Sequence, residues 1–353
     1  MNQLALKKHL IALATLPENE SPVISAYFDL NVPLSQNRAD LHSWGTLARS
    51  SFHGQQAVDF DDALDEVATV LETGANTGQS AAIFCRWGEY PMVMPLTMAA
   101  PMEPQFHVTT VPVIFPLVEM KDRFDRFVLV VTNSQSAQVY EINLGEASQA
   151  LLTQRPELRK RLGREWTREH YQNHRKEREG QFVKEKVNVI ERLMAKRGHN
   201  ALVLAGEPRY VKRLREHLPK HLQGKVAGEI RSGVCDDSIP KVVEQSIATF
   251  LDEENRESHD AVKSLEAAVC SGGLAVVGIT QTMEAFANHQ VDQLILSTDL
   301  PTPEREKLVR MATRQDVPVE TVRGSETLEK NGGVGCLLRY LGKFAGQQIR
   351  EAS

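Results

Sequence analysis

The chain has 353 residues, 41% of them hydrophobic and 25% charged, and a formal net charge of −5 at pH 7, the composition of a soluble globular protein with two or three domains. No apolar run approaches the roughly 18 residues of a transmembrane helix, so no transmembrane helix is expected. Four dispersed cysteines, Cys85, Cys235, Cys270 and Cys336, each in or beside apolar residues, speak against a metal motif and a disulfide framework and fit a reducing cytoplasm.

The opening stretch, MNQLALKKHLIALATLPENE, alternates leucines with lysines as an amphipathic helix does, without the continuous apolar core and cleavage site of a signal peptide. In SPVISAYFDLN, Ile24, Ala26, Phe28 and Leu30 alternate with Val23, Ser25, Tyr27 and Asp29, which predicts a strand. The polar stretch around Trp44 and Leu47 reads as helical. DFDDALDEVATVLETG places Leu64, Val67, Ala68 and Leu71 on one helical face, with Gly74 able to end the helix. SAAIFCRWG and YPMVMPLTM read as strands around a turn at Gly88. The Pro- and Met-rich MAAPMEPQFHVTTVPVIFP is expected to be an irregular linker.

RFVLVVTNSQSAQVYEINLGE has two β-branched runs around NSQS and predicts a hairpin. A basic stretch from 155 to 180 follows, with almost no apolar period, so it is expected to be a loop. From Phe182 the apolar residues Val183, Val187, Ile190 and Met194 recur every three to four positions, predicting a helix to about Arg197. NALVLAG, EPRYVKRLREHL and KVAGEIR then read as strand, helix and strand. Beyond residue 237, the long helical pattern KVVEQSIATFLDEENRESHDAVKSLEAAVCSGG precedes the strand-like LAVVGI, VDQLILS, VPVETV and VGCLLRY. The expected fold is α/β throughout, in three domains: 1–105, 106–237 and 238–353. The central one has a mixed sheet and a protruding basic loop.

Charge is the feature that stands out. Residues 155–197 carry 14 Lys/Arg against 7 Asp/Glu, while the remainder of the chain is acidic. Gly180 and Gln181 sit inside that span, directly before the predicted helix. Glycine permits close approach of the backbone to a ligand. A glutamine amide has no useful proton affinity, so it positions water or donates to an oxyanion instead of acting as a base. The alternative is that Gly180 merely ends one element and Gln181 starts the next. A second Gly-Gln, Gly54–Gln55, lies in no such context.

At this point the chain resembles the archaeal-eukaryotic class of peptide chain release factors. It is more closely similar to the bacterial branch, often grouped with tRNA-hydrolase proteins of ribosome quality control. VISAYFDLN resembles the family's opening strand, and RFVLVVTNSQSAQVYEINLGE the hairpin of its central domain. FVKEKVNVIERLMAKRGHNALVLAGEPRYVKRLREHLPKHLQGKVAGEI resembles the elements after its catalytic loop. NGGVGCLLRY resembles the end of a third domain similar to a kink-turn-binding ribosomal protein fold.

In that family a Gly-Gly-Gln tripeptide enters the peptidyl-transferase centre of the large ribosomal subunit, where its glutamine helps water attack the peptidyl-tRNA ester. The matching positions here are Glu179, Gly180 and Gln181, with glutamate in place of the first glycine. That carboxylate adds repulsion among RNA phosphates and removes backbone freedom. Two implied readings stay open: codon-independent peptidyl-tRNA hydrolysis in release or rescue, and a non-catalytic ribosome- or RNA-binding surveillance role. Codon independence follows from the absence, between residues 1 and 105, of the Asn-Ile-Lys-Ser and Tyr-x-Cys-type motifs of stop-codon readers.

The resemblance implies contacts with rRNA and the tRNA acceptor from Arg164, Arg168, Arg175, Lys176, Arg178 and Lys184. Arg155, Arg159, Lys160 and Arg161 extend the same basic set, and Trp166 and Tyr171 are placed to stack on bases. The bland alternative is a solvated charged helix. His170 and His174 have helical metal-ligand spacing, but no third ligand follows at suitable spacing, so no metal is expected. AGEPRY and GGVG fit neither a phosphate loop nor a dinucleotide fingerprint. No organic cofactor and no membrane partner are expected. A third class, a soluble enzyme on small substrates, would need a closed polar pocket.

Overall fold

The computed structural model describes residues 3–18, 21–74, 78–88, 91–133, 136–154, 168–232 and 239–340, with the side chains of 149–154 and 168–179 outside that description. The expected α/β architecture is present, with three separate sheets. The chain divides into two compact units, one of 1–125 with 255–353 and the other of 126–254. These cuts fall elsewhere than the expected 105 and 237. Among the described residues no helix is long and apolar enough to cross a membrane.

The first unit opens with α1 (Gln3–Thr15), β1 (Val23–Asp29), α2 (Leu34–Arg49), α3 (Gln55–Thr73), β2 (Ser80–Arg86), β3 (Met92–Met98), β4 (Gln105–Thr109) and α4 (Phe115–Arg123). The strands form an antiparallel sheet in the order β3-β2-β1-β4. The alternation in β1 has a direct result. Ile24, Ala26 and Phe28 join Leu41 of α2 and Phe60, Ala63, Val67 and Leu71 of α3 in one core. On the opposite face, Tyr27 donates its hydroxyl to the Val113 carbonyl at 2.6 Å, and Ser25 Oγ accepts from the Val113 N–H at 3.0 Å.

The stretch read as a linker needs correction, because it contains β4. Phe106 and Val108 lie against the α2/α3 core, and β4 pairs antiparallel with β1. A five-residue strand flanked by Pro104 and Pro112 offers too short an alternation to stand out from its surroundings.

The central elements are β5 (Phe127–Thr132), β6 (Ser136–Asn143), β7 (Glu146–Gln154), α5 (Arg168–Arg197), β8 (Ala201–Gly206), α6 (Pro208–His217), α7 (Lys220–Gln223), β9 (Val226–Arg231) and α8 (Ile239–Cys270). The sheet order is β7-β6-β5-β8-β9. Its β7-β6-β5 part is antiparallel and its β5-β8-β9 part parallel, so the sheet is mixed as expected. Val128 and Val130 point to one face, under Val187, Ile190 and Met194 of α5 and Val211 and Leu214 of α6. Phe127, Leu129 and Val131 point to the other, under Val242 and Phe250 of α8, with the Phe127 and Phe250 rings stacked 4.5 Å apart.

The start of α5 is the second correction. The sequence predicts a loop from 155 to 180 and a helix from Phe182; of that stretch, 155–167 lie outside the described residues. Instead a single helix of 30 residues runs from Arg168 through Gly180 and Gln181 to Arg197. Arg, Lys, Glu and Gln are strong helix formers, and a segment rich in them is helical by propensity without any apolar stripe to announce it.

After α8 come β10 (Ala275–Val277), α9 (Ile279–Ala287), β11 (Val291–Ser297), α10 (Thr302–Arg314), β12 (Val319–Val322), α11 (Glu326–Lys330) and β13 (Val334–Leu338). They complete the first unit with a sheet of order β10-β13-β11-β12, in which only β11 and β12 are parallel. Val262 and Leu265, from the second half of α8, pack with Ile295, Val322 and Leu328.

Candidate functional site

The sequence directs attention to α5. Its inward face, Phe182, Val183, Val187, Ile190 and Met194, is buried, and burial begins one residue after Gln181. Gln181 and Lys184 are exposed, along with Glu185 and Asn188, at the spacing of one helical face. Gly180 is half-buried, and a Cβ built there would meet no heavy atom within 4 Å. The Gln181 amide therefore faces outward and is not locked in a core.

Helicity limits what this dipeptide offers a ligand. Inside an α-helix the N–H groups of residues 180 and 181 are directed to carbonyls four residues earlier. Only the side-chain amide of Gln181 remains available, so the backbone N–H donor read from the sequence is engaged in this conformation. Glu179, Arg168, Arg175, Lys176 and Arg178 lie on the same helix, with side chains outside the described set, as do Tyr171, His170 and His174. Arg164, Trp166, Arg155, Arg159, Lys160 and Arg161 lie outside the described residues.

Two polar contacts fix the helix, and sequence reading passed over both. Lys186 is only 4% exposed, although it carries a charge on the apolar stripe of α5. Its Nζ donates to Thr132 Oγ1 at 2.7 Å, to the Asn133 carbonyl at 3.3 Å and to the Ser136 carbonyl at 3.4 Å, and lies 4.2 Å from the Phe182 ring centroid. A buried ammonium is tolerable only when its donors are used in this way. The signal was available: a lysine between Val183 and Val187 interrupts the apolar face. At the other end, buried Glu141 of β6 pairs with Arg197 and lies 3.1 Å from His199 Nε2. Lys186 thus clamps the first buried turn of α5 to the β5–β6 turn, five residues from Gln181.

The first unit has a cavity of about 370 Å³ lined by Glu103, Gln105, Phe115, Asp299, Arg305 and Arg323, among others. Arg323 is held by Glu119 at 2.5 and 3.1 Å, and Arg305 lies 4.0 Å over the Phe115 ring while donating to the Thr298 carbonyl at 2.5 Å. The cavity is polar and charged, and its two arginines are already engaged by Glu119 and by the Phe115 ring with the Thr298 carbonyl. Among the described residues, no group of three or more His, Cys, Asp and Glu is placed to hold a metal ion.

Comparison with known proteins sharpens the assignment of the central segment. Residues 112–250 match the family model for Bacterial archaeo-eukaryotic release factor family 10. No curated protein matches the chain. Among solved structures it is similar to S. cerevisiae Dom34, a translation termination-like factor involved in RNA quality control pathways and interacting with Hbs1. That likeness has 11% identity over 76% of this chain and 81% of that one, with a TM-score of 0.46. For ribosome-bound archaeal Pelota and ABCE1 the values are 15% identity, 97% and 95% coverage and a TM-score of 0.44. For the archaeal translation termination factor aRF1 they are 16%, 96% and 99%, and 0.30. The matched segment contains β5 to β9, α5 and Gly180–Gln181, and so two of the four stretches on which the resemblance in sequence rested; VISAYFDLN and NGGVGCLLRY lie outside it. Over residues 112–250 the chain is similar to the bacterial archaeo-eukaryotic release factor family, family 10.

Proposed function

We propose that the protein acts on the large ribosomal subunit as a codon-independent peptidyl-tRNA hydrolase, in release or rescue of stalled complexes in the cytoplasm. The observation that carries this reading is the outward-facing Gln181 on α5, inside the segment that matches the release-factor model. The water oxygen bonds to the ester carbonyl carbon, the bond to the tRNA ribose oxygen breaks, and that oxygen takes up the proton lost by water. The Gln181 amide orients the water, and Gly180 gives the chain its shape there. Glu179 stands beside them, and Arg164, Arg168, Arg175, Lys176, Arg178 and Lys184 hold rRNA and the tRNA acceptor. The division into domains 1–105, 106–237 and 238–353 belongs to the same proposal, with the last docking on the ribosome or on a partner.

A release assay on stalled ribosome–nascent chain complexes tests it. Wild type should free the peptide and Gln181→Ala should not; equal release by both would remove Gln181 from the mechanism.

A second reading, ribosome binding without hydrolysis, is favoured by one observation: Gly180–Gln181 sits within an unbroken helix, with glutamate in place of the first glycine. That reading expects ribosome binding by the wild-type protein with no release above background.

A further inference from the structure

We infer that the outer face of the α5–α6–α7 layer is a docking surface for double-helical RNA, held through the phosphate backbone. The inference deepens the proposed function by extending the basic span of α5 onto α6 and α7, through Arg209, Lys212 and Lys220, and rests on that reading for the kind of partner.

The layer arrangement carries the argument. α5, α6 and α7 cover one face of the central sheet, through Ile190, Met194, Val211, Leu214 and Leu222, while the first half of α8 covers the other. With their apolar sides buried, these helices turn their remaining side chains outward together. Exposed on that side are Lys184, Arg192, Lys196, Arg209, Lys212 and Lys220. The same side also exposes Glu185, Glu207 and Glu216, fewer than the cations, while Glu191 lies 3.5 Å from His221 and Arg215 is paired at 2.8 Å with Glu229 of β9. The opposite side of the unit has the contrary sign, with Glu244 and Asp252 exposed on α8 and Glu253 and Glu254 half-buried. The helix layer thus has a surplus of exposed cations in a chain of net charge −5, while the opposite side, with Lys241 as its one exposed cation among the described residues of α8 up to Glu254, has a surplus of acid, the distribution of a polyanion-binding face.

The apolar residues select among polyanions. Every large hydrophobic side chain found exposed, from Leu4 and Leu47 to Trp87 and Tyr340, belongs to the first unit, and none lies within the described residues of 126–254. A helix that adsorbs to a membrane inserts apolar side chains, and Val211 and Leu214 of α6 are buried instead. Binding of single strands relies on exposed aromatic platforms, whereas Tyr210, an aromatic of this layer, is half-buried with the Arg209 guanidinium 6.0 Å from its ring centroid. Charge without an exposed ring or apolar side chain suits a duplex, recognised by shape and phosphate.

The test is fluorescence anisotropy of the full-length chain with a labelled RNA duplex of about 16 base pairs, across a salt series. The triple variant Lys196→Ala/Arg209→Ala/Lys212→Ala should bind roughly 10-fold or more weakly, with a plot of log affinity against log salt shallower by about 2 to 3, near 0.9 per lost phosphate contact. Circular dichroism melting should match wild type, and Lys241→Ala on the opposite side should bind normally. Equal binding by the triple variant would overturn the inference. So would preference for single-stranded RNA, or binding confined to phosphatidylserine vesicles. Release activity is read separately. If Gln181→Ala releases peptide as well as wild type, the hydrolytic reading falls while the duplex result stands.

Discussion

In the helical conformation of α5, Gly180 occupies a position that any L-residue would accept. It is absent from the left-handed positive-φ glycines, an added Cβ would meet nothing within 4 Å, and it lies thirteen positions into a helix that starts at Arg168. Glycine in a helix interior costs roughly 0.5–1 kcal/mol relative to alanine. Gly180→Ala should therefore raise the stability of α5 by about that amount, visible as a higher melting temperature of the central unit. If water positioning needs the helix to open at 180–181, the same substitution lowers peptide release. Unchanged release would identify the helix as the working conformation. Glu179→Gly is the converse substitution. It restores the family's first glycine, should weaken the helix by up to about 1 kcal/mol, and should raise release on stalled complexes by removing a carboxylate from the neighbourhood of RNA phosphates. A fall in release in that variant would mean Glu179 contributes to the reaction.

At the scale of elements, α5 depends on Lys186. Lys186→Met keeps the length and apolar stem of the side chain but leaves Thr132 Oγ1 and the carbonyls of Asn133 and Ser136 without this donor. The Ser136 carbonyl keeps the Asn133 N–H at 3.1 Å, and loss of a hydrogen-bond donor to a buried group such as Thr132 Oγ1 costs about 1–3 kcal/mol. The expected result is lower stability of that size, with faster amide hydrogen exchange concentrated in β5, β6 and the first buried turns of α5. Uniform exchange across the unit would show that Lys186 is no local clamp. The same helix shows what a sequence discloses. The buried half was legible because Val183, Val187, Ile190 and Met194 keep a period, and β1, β5 and β8 were legible as β-branched or alternating apolar runs. The charged half was not, because helix propensity leaves no period when no face is buried. β7, a strand at the edge of the sheet with the polar sequence EASQALLTQ, was missed for a related reason. In the candidate site, the identity of Gly180 and Gln181 was readable while their conformation was not.

The largest gap between sequence and structure concerns groups brought together over the whole chain. Buried Glu306 of α10 accepts from the backbone N–H groups of Ile114 and Phe115 at the start of α4, and Asp122 at the end of α4 accepts from the Thr321 N–H and Oγ1 at 2.7 and 2.6 Å. The partners are separated by more than 190 residues, so no local pattern announces them. Burial pushes the Glu306 carboxyl up to about 7, against the lowering influence of its two backbone donors. Burial and neighbouring Glu320, itself raised by burial, push Asp122 up to about 8. An unfolded chain releases these protons near pH 4. Between there and pH 7 to 8 the folded protein holds protons that the unfolded chain has lost, so stability falls as pH rises through that window and levels off above it. The slope is on the order of 1 kcal/mol per pH unit for each group. Thermal melts of the full chain from about pH 5 to 8 should show a falling melting temperature, and Asp122→Asn should flatten that fall. An asparagine still accepts both hydrogen bonds from Thr321 and cannot ionise, so stability at the upper end should be retained or improved. A loss of stability in Asp122→Asn at every pH would show that the carboxylate is needed charged, and the sign of the whole dependence would reverse.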